Sequence, residues 1–155
     1  MSAPTTTRLA RDRWVDAAAL GLLLAGVVHF LAALDHMTHK PQFVVFFLAV
    51  GIAQIVLAPH LGRAPRPGRV AVALGSTVVL LLLYLASRTV VLDLGPHSDR
   101  PEAPDLLGTI AVMSELVALA ALPALLPARW RRGAVNGVLG IGAAVWLSWF
   151  AGLIG

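Results

Sequence analysis

Long apolar runs alternate with short polar links along this chain, and the pattern repeats five times. The runs cover about residues 15–34, 42–61, 70–92, 105–126 and 134–155. Each reaches the roughly 18 residues a helix needs to cross a bilayer core. The links carry helix-ending residues. Pro41 pushes Lys40 out of the helical region. Residues 62–69 hold two prolines, two glycines and three arginines, and 93–104 contain Pro96, Pro101 and Pro104. Pro127 closes the fourth run, and Asp105, just after Pro104, is the expected N-cap of that helix. The pattern predicts an all-α integral membrane protein built as a five-transmembrane-helix bundle.

Composition agrees and narrows the class. Of 155 residues, 58% are hydrophobic and only 13% charged, too few charges for the surface of a water-soluble globule. The net charge of +4 comes from arginines placed between apolar runs, so it reports orientation and does not call for a nucleic-acid partner. Arg8, Arg11 and Arg13, then Arg63, Arg66 and Arg69, then Arg129, Arg131 and Arg132 alternate with links that are acidic or carry histidine. By the positive-inside rule the N-terminus is inside and the C-terminus outside, with Trp130, Trp146 and Trp149 suited to the interfaces. Residues 1–14 then form a short irregular cytoplasmic tail, and 15–155 a single transmembrane domain in the plasma membrane. The first run is longer than a usual signal core and lacks a small-x-small cleavage site before Asp35, so it reads as a retained helix. The absence of cysteine excludes disulfides, thiolate metal sites and a cysteine nucleophile.

Ionisable side chains at membrane depth are costly and usually face the protein interior, which makes each one a candidate functional residue. His29, Arg88 and Glu115 are such residues, accompanied by Gln54 and Tyr84. Counting along the helices at about 1.5 Å per residue, His29 lies roughly 9 Å below Asp35 and Glu115 roughly 15 Å below Asp105. Arg88 is shallower and Gln54 deeper. The five are expected to line a pocket in the outer half of the membrane, reached from outside and not continued as a pore. On the first helix Gly21, Ala25, His29 and Ala32 share a face, so the histidine sits where helices approach closely. The alternative reading makes Arg88 and Glu115 a structural ion pair, with His29 and Gln54 as interhelical hydrogen-bonding residues.

A second set lies at the outer rim. His36 and His39 are three residues apart, so one helical turn can present both, and His97 occupies another outer link with Asp99 and Glu102 nearby. Imidazole with carboxylate suits zinc or copper, and His36, His39 and His97 are the candidate metal ligands, against the plainer reading of a solvated polar rim. Only His29 lies well inside a span, which disfavours a two-histidine haem. The fifth run carries Gly133, Gly137 and Gly140 on one face and no ionisable side chain in its apolar stretch, so it reads as a packing helix toward a second copy or another membrane protein.

Taken together, His29, Asp35-His36, Phe46-Phe47, Gln54, Ser87-Arg88-Thr89, Gly95-Pro96-His97, Asp105 and Glu115 resemble the pattern of small multipass membrane proteins of actinobacteria. The resemblance covers about residues 20–120, implies a self-contained membrane module, and brings no catalytic role with it.

The leading functional expectation is a binding or transport-related module whose pocket takes a metal ion, a proton or a small polar ligand. A membrane-embedded enzyme using Glu115 or His29 as general acid or base on a lipid-like substrate is the second, without a nucleophile motif to favour it. An accessory subunit whose polar residues only pair its helices is the third.

Overall fold

The structure, a computed structural model, describes residues 5–38, 41–90, 101 and 103–154. Among them there is no strand. The helices are α1 (Thr5–Asp35), α2 (Pro41–Arg63), α3 (Pro67–Thr89), α4 (Leu106–Ala121) and α5 (Ala128–Phe150). Short 3-10 turns follow α1 (His36–Thr38) and α4 (Leu122–Leu125). All five helices contain a stretch long and apolar enough to cross a membrane.

The links act as the sequence requires, with three differences at helix ends. α1 begins at Thr5, so residues 5–14 are helical and not an irregular tail. Arginine, leucine and alanine are good helix formers, and no glycine or proline interrupts the chain between positions 5 and 20. At the far end of α4 the α-helix stops at Ala121 and tightens into the Leu122–Leu125 turn. Pro123 has no N–H to continue the ladder there. α5 starts at Ala128, earlier than residue 134, because Pro127 O accepts from the backbone N–H of Trp130 and Arg131. Arg131 also donates to Ala124 O and Leu126 O, satisfying carbonyls left by the preceding turn. Pro67 occupies the first turn of α3, where a missing N–H costs nothing.

α1 is the centre of the bundle, packed mainly against α2 and α4, with α3 beside α4. Glycine makes both main contacts close. A Cβ on Gly21 would lie 2.8 Å from the Ser114 carbonyl oxygen of α4, and one on Gly51 would lie 2.9 Å from the Gly26 carbonyl oxygen. Only a hydrogen at these positions lets the backbones approach so far. Below them, toward the Arg63 end, a continuous apolar core joins Ala18 and Leu22, Ala58 and Leu61, Val70 and Ala73, and Ala118 and Leu122. α5 packs chiefly on the Leu122–Leu125 turn and buries none of its own residues.

Candidate functional site

Three helices meet at one buried polar cluster near the middle of the bundle, on the His36 side of the apolar core. Gln54 of α2 donates from Nε2 to Glu115 Oε1 of α4 at 3.1 Å. His29 of α1 stands beside the same amide. Its Nδ1 donates to Ala25 O at 2.8 Å, which fixes the ring on α1 and leaves Nε2 as the nitrogen that can meet Gln54. The three side chains are buried, at 7%, 4% and 2% exposure for His29, Gln54 and Glu115. One atom stands out in this set. Gln54 Oε1 is buried without a hydrogen-bond partner, although an amide oxygen in such surroundings needs a donor.

The close helix contacts place these residues. Gly26 lies one turn from His29 on α1, and a Cβ on it would come within 3.2 Å of the Gln54 Cβ and 2.8 Å of Ile55 Cγ1. The Gly26–Gly51 crossing therefore holds the Gln54 amide against α1. Gly21 does the same for α4, which carries Glu115 one residue after the carbonyl that Gly21 faces. Ser114 is also buried, with its hydroxyl donating to Ile110 O at 2.7 Å, so it is committed to the backbone.

Toward the His36 end the cluster is covered by an aromatic ring. Phe47 of α2 contacts His29 on one side, with ring centroids 5.9 Å apart, and His36 on the other at 5.0 Å. Phe43 and Phe46 flank these rings. The order from the rim inward is His36, Phe47, His29, Gln54, Glu115. His36 is half-exposed, bonds Ala32 O through Nδ1 at 2.8 Å, and has an Asp35 oxygen 3.9 Å away. Of the rim histidines, His39 and His97 lie outside the described residues. Among the described residues no group of three or more histidine or carboxylate side chains is arranged to hold a metal ion.

Tyr84 and Arg88 belong to a different cluster. The expected pairing of Arg88 with Glu115 is not formed. Arg88 Nη2 instead reaches Asp105 Oδ2 at 2.6 Å, Nη1 donates to Ala103 O, and the guanidinium lies over the Tyr84 ring at 4.8 Å. Asp105 is the N-cap of α4, its Oδ1 accepting from Gly108 N at 2.7 Å. The reason is distance: ten residues of α4, about 15 Å, separate Asp105 from Glu115, and the end of α3 lies opposite the first of these. Gly108 makes room for the arginine, since a Cβ there would lie 2.8 Å from the Tyr84 ring.

Sequence reasoning did not find Phe47 as the separator of the two histidines, nor Gly26 and Gly51 as the contact that positions Gln54. Phe43, Phe46 and Phe47 share a helical face facing the histidine-bearing end of α1, and that spacing was the available signal. A surface groove of about 400 Å³ runs between α3 and α5, lined by Leu74, Gly75, Val78, Trp130, Gly133 and Gly137, apart from the polar cluster. Comparison with known protein families, with curated proteins and with solved structures found no match.

Proposed function

We propose that this chain is a multipass plasma-membrane protein, N-terminus inside, that binds a proton at the His29–Gln54–Glu115 cluster from the external face. The observation that carries the reading is the amide of Gln54, joined to Glu115 and beside His29, with an oxygen that lacks a donor. Two titratable side chains meet at a buried group still short of one hydrogen, which is the hydrogen a bound proton supplies. Size favours the proton over a bulkier ligand. The Gly26–Gly51 and Gly21–Ser114 contacts press three backbones together around the cluster and leave it tight.

Orientation follows from the arginines. Arg63, Arg66, Arg69, Arg129, Arg131 and Arg132 gather at the end of the bundle where α1 begins, so that end faces the cytoplasm and His36 faces out. On the cytoplasmic side of the cluster, Leu22, Leu61 and Leu122 are fully buried and offer no polar stepping stones. Among the described residues this apolar layer favours access to the site from the external face. Ser114, the hydroxyl next to Glu115, is committed to Ile110 O, so an enzymatic reading gains no nucleophile here.

The test is a proton count in lipid nanodiscs. A pH jump followed with an indicator dye should show proton uptake by the wild type that is missing from the double variant His29→Gln with Glu115→Gln. Helix content and monodispersity of the variant are checked in parallel. Equal uptake by the two proteins would overturn the assignment.

A further inference from the structure

α3 and α5 both start at the arginine-rich end of the bundle and hardly touch each other. The groove between them is walled on α3 by Leu74, Gly75 and Val78 and on α5 by Trp130, Gly137 and Ile141. Open space stands over its glycines, since a Cβ at Gly75, Gly133 or Gly137 would meet nothing within 4 Å. The mouth is at Trp130, in the first turn of α5, and the far end is at Ile141, about 16 Å further along the helix. That is close to half of the roughly 30 Å hydrocarbon core, so the groove is one leaflet deep. In a bilayer such an apolar slot is filled by a lipid chain or by another helix.

The charged groups at the mouth distinguish the two. Trp130 stands where an indole meets the headgroups, and the Arg129 guanidinium lies 5.6 Å from the centre of its ring. Arg132 follows on α5, and Arg66 and Arg69 open α3. Arg66, Arg129 and Arg132 are exposed, and Arg69 is half-buried. Arg131 is already engaged with Ala124 O and Leu126 O. Residues 41–92 and 116–155 contain no aspartate or glutamate. Among the described residues no carboxylate pairs with these four arginines, so the protein leaves the charge at the mouth uncompensated.

A second copy of this chain is a poor occupant. Two copies inserted in the same sense would bring their uncompensated arginines to one level, where like charges repel. A phospholipid of net negative charge meets every feature of the groove. Its acyl chain matches the apolar slot, its headgroup lies at the depth of Trp130, and its phosphate oxygens accept from guanidinium N–H groups. A zwitterionic lipid brings the same chain, but its ammonium cancels the phosphate charge.

We propose that the groove between α3 and α5 is a binding site for an anionic phospholipid. One acyl chain lies between Gly75 and Gly137, and Arg129 and Arg132 of α5 with Arg66 and Arg69 of α3 hold the headgroup. The site is separate from the His29–Gln54–Glu115 cluster and stands or falls independently of proton binding.

The test uses Trp130 as the reporter. The chain has four tryptophans, and Trp14→Phe, Trp146→Phe and Trp149→Phe together leave only this one. The full-length protein with these changes is placed in vesicles of phosphatidylcholine and phosphatidylglycerol in equal parts. Bromine near the carbonyl end of the acyl chains is carried by one lipid or by the other, and the quenching of Trp130 is compared. Phosphatidylglycerol is expected to associate about fivefold more strongly than phosphatidylcholine, the effect of a single well-placed arginine. Two further variants separate slot from charge. Gly137→Leu fills the slot and keeps the arginines, and Arg129→Gln with Arg132→Gln keeps the slot and removes charge. Each should bring the two lipids close to parity. Equal quenching by the two lipids before these changes, or a preference undiminished in Gly137→Leu, would overturn the site. So would weak quenching by both lipids, the result of a second copy covering Trp130.

Discussion

Toward the Arg63 end of the bundle the helices meet through Leu22, Leu61, Val70 and Leu122, all fully buried and all apolar. Toward the His36 end α1, α2 and α4 meet through His29, Gln54 and Glu115, equally buried but polar. The two regions share the same backbones and differ in what holds them. Lipid tails are as apolar as leucine, so the first region owes its stability to close packing and not to removal of surface from water. In the second region any side chain that loses its partner is left in a low-dielectric surrounding. A packed apolar region tolerates modest changes of shape, whereas the polar region responds to single atoms.

The largest expected effect attacks what the two regions have in common. Gly21→Leu would drive a side chain into the Ser114 carbonyl oxygen and the Ala118 amide nitrogen, both backbone atoms that cannot move without shifting α4. We expect destabilisation of about 3 kcal/mol or loss of the folded protein, the upper range for overpacking. Reversible unfolding in mixed micelles measures it. Next comes Leu22→Ala in the apolar region. It should cost on the order of 2 kcal/mol through the cavity left behind, while the proton count at His29 and Glu115 stays as in the wild type. A changed proton count would show that the two regions are not separable.

A third comparison concerns the second polar cluster. In a double-mutant cycle, Arg88→Met and Asp105→Asn should be coupled by about 1 kcal/mol, reduced by the exposure of Asp105. Arg88→Met and Glu115→Gln should be additive. Coupling of Arg88 to Glu115 would merge the two clusters that the structure keeps apart. The smallest effect is expected on α5. At Gly137 a Cβ meets nothing within 4 Å, so Gly137→Ala in the monomer should cause no loss and gain up to about 1 kcal/mol from helix propensity. A marked loss would mean that this face is covered by a second copy or another protein in the membrane.

Much of the fold was readable from the sequence. Five apolar runs with proline-bearing links admit few architectures, and a histidine, a glutamine and a glutamate inside such runs stand out because burying them needs partners. Helix faces were harder to read. Gly21 and Ala25 on α1 make the same small-residue signal as Gly133, Gly137 and Gly140 on α5. Yet Gly21 touches α4 backbone, and the three glycines of α5 have nothing near them. Hydrophobicity cannot separate a face that meets lipid from one that meets protein when both surroundings are apolar. The partner of Arg88 was missed for a related reason. A long side chain near a helix end reaches sideways to the next helix, and the position of Asp105 after Pro104 signals only a helix cap. The N-terminal arginines looked like a tail because charge marks the end of a membrane span, but charge does not end a helix.

The central claim is that His29 and Glu115 form one site joined by Gln54. The most direct test follows His29 by nitrogen-15 NMR in nanodiscs through a pH titration, in the wild type and in Glu115→Gln. His29 and Glu115 meet at the same Gln54 amide, so removing the carboxyl should move the His29 midpoint. Arg88→Met, outside the cluster, should leave it in place. A His29 titration identical in the wild type and Glu115→Gln would contradict the account.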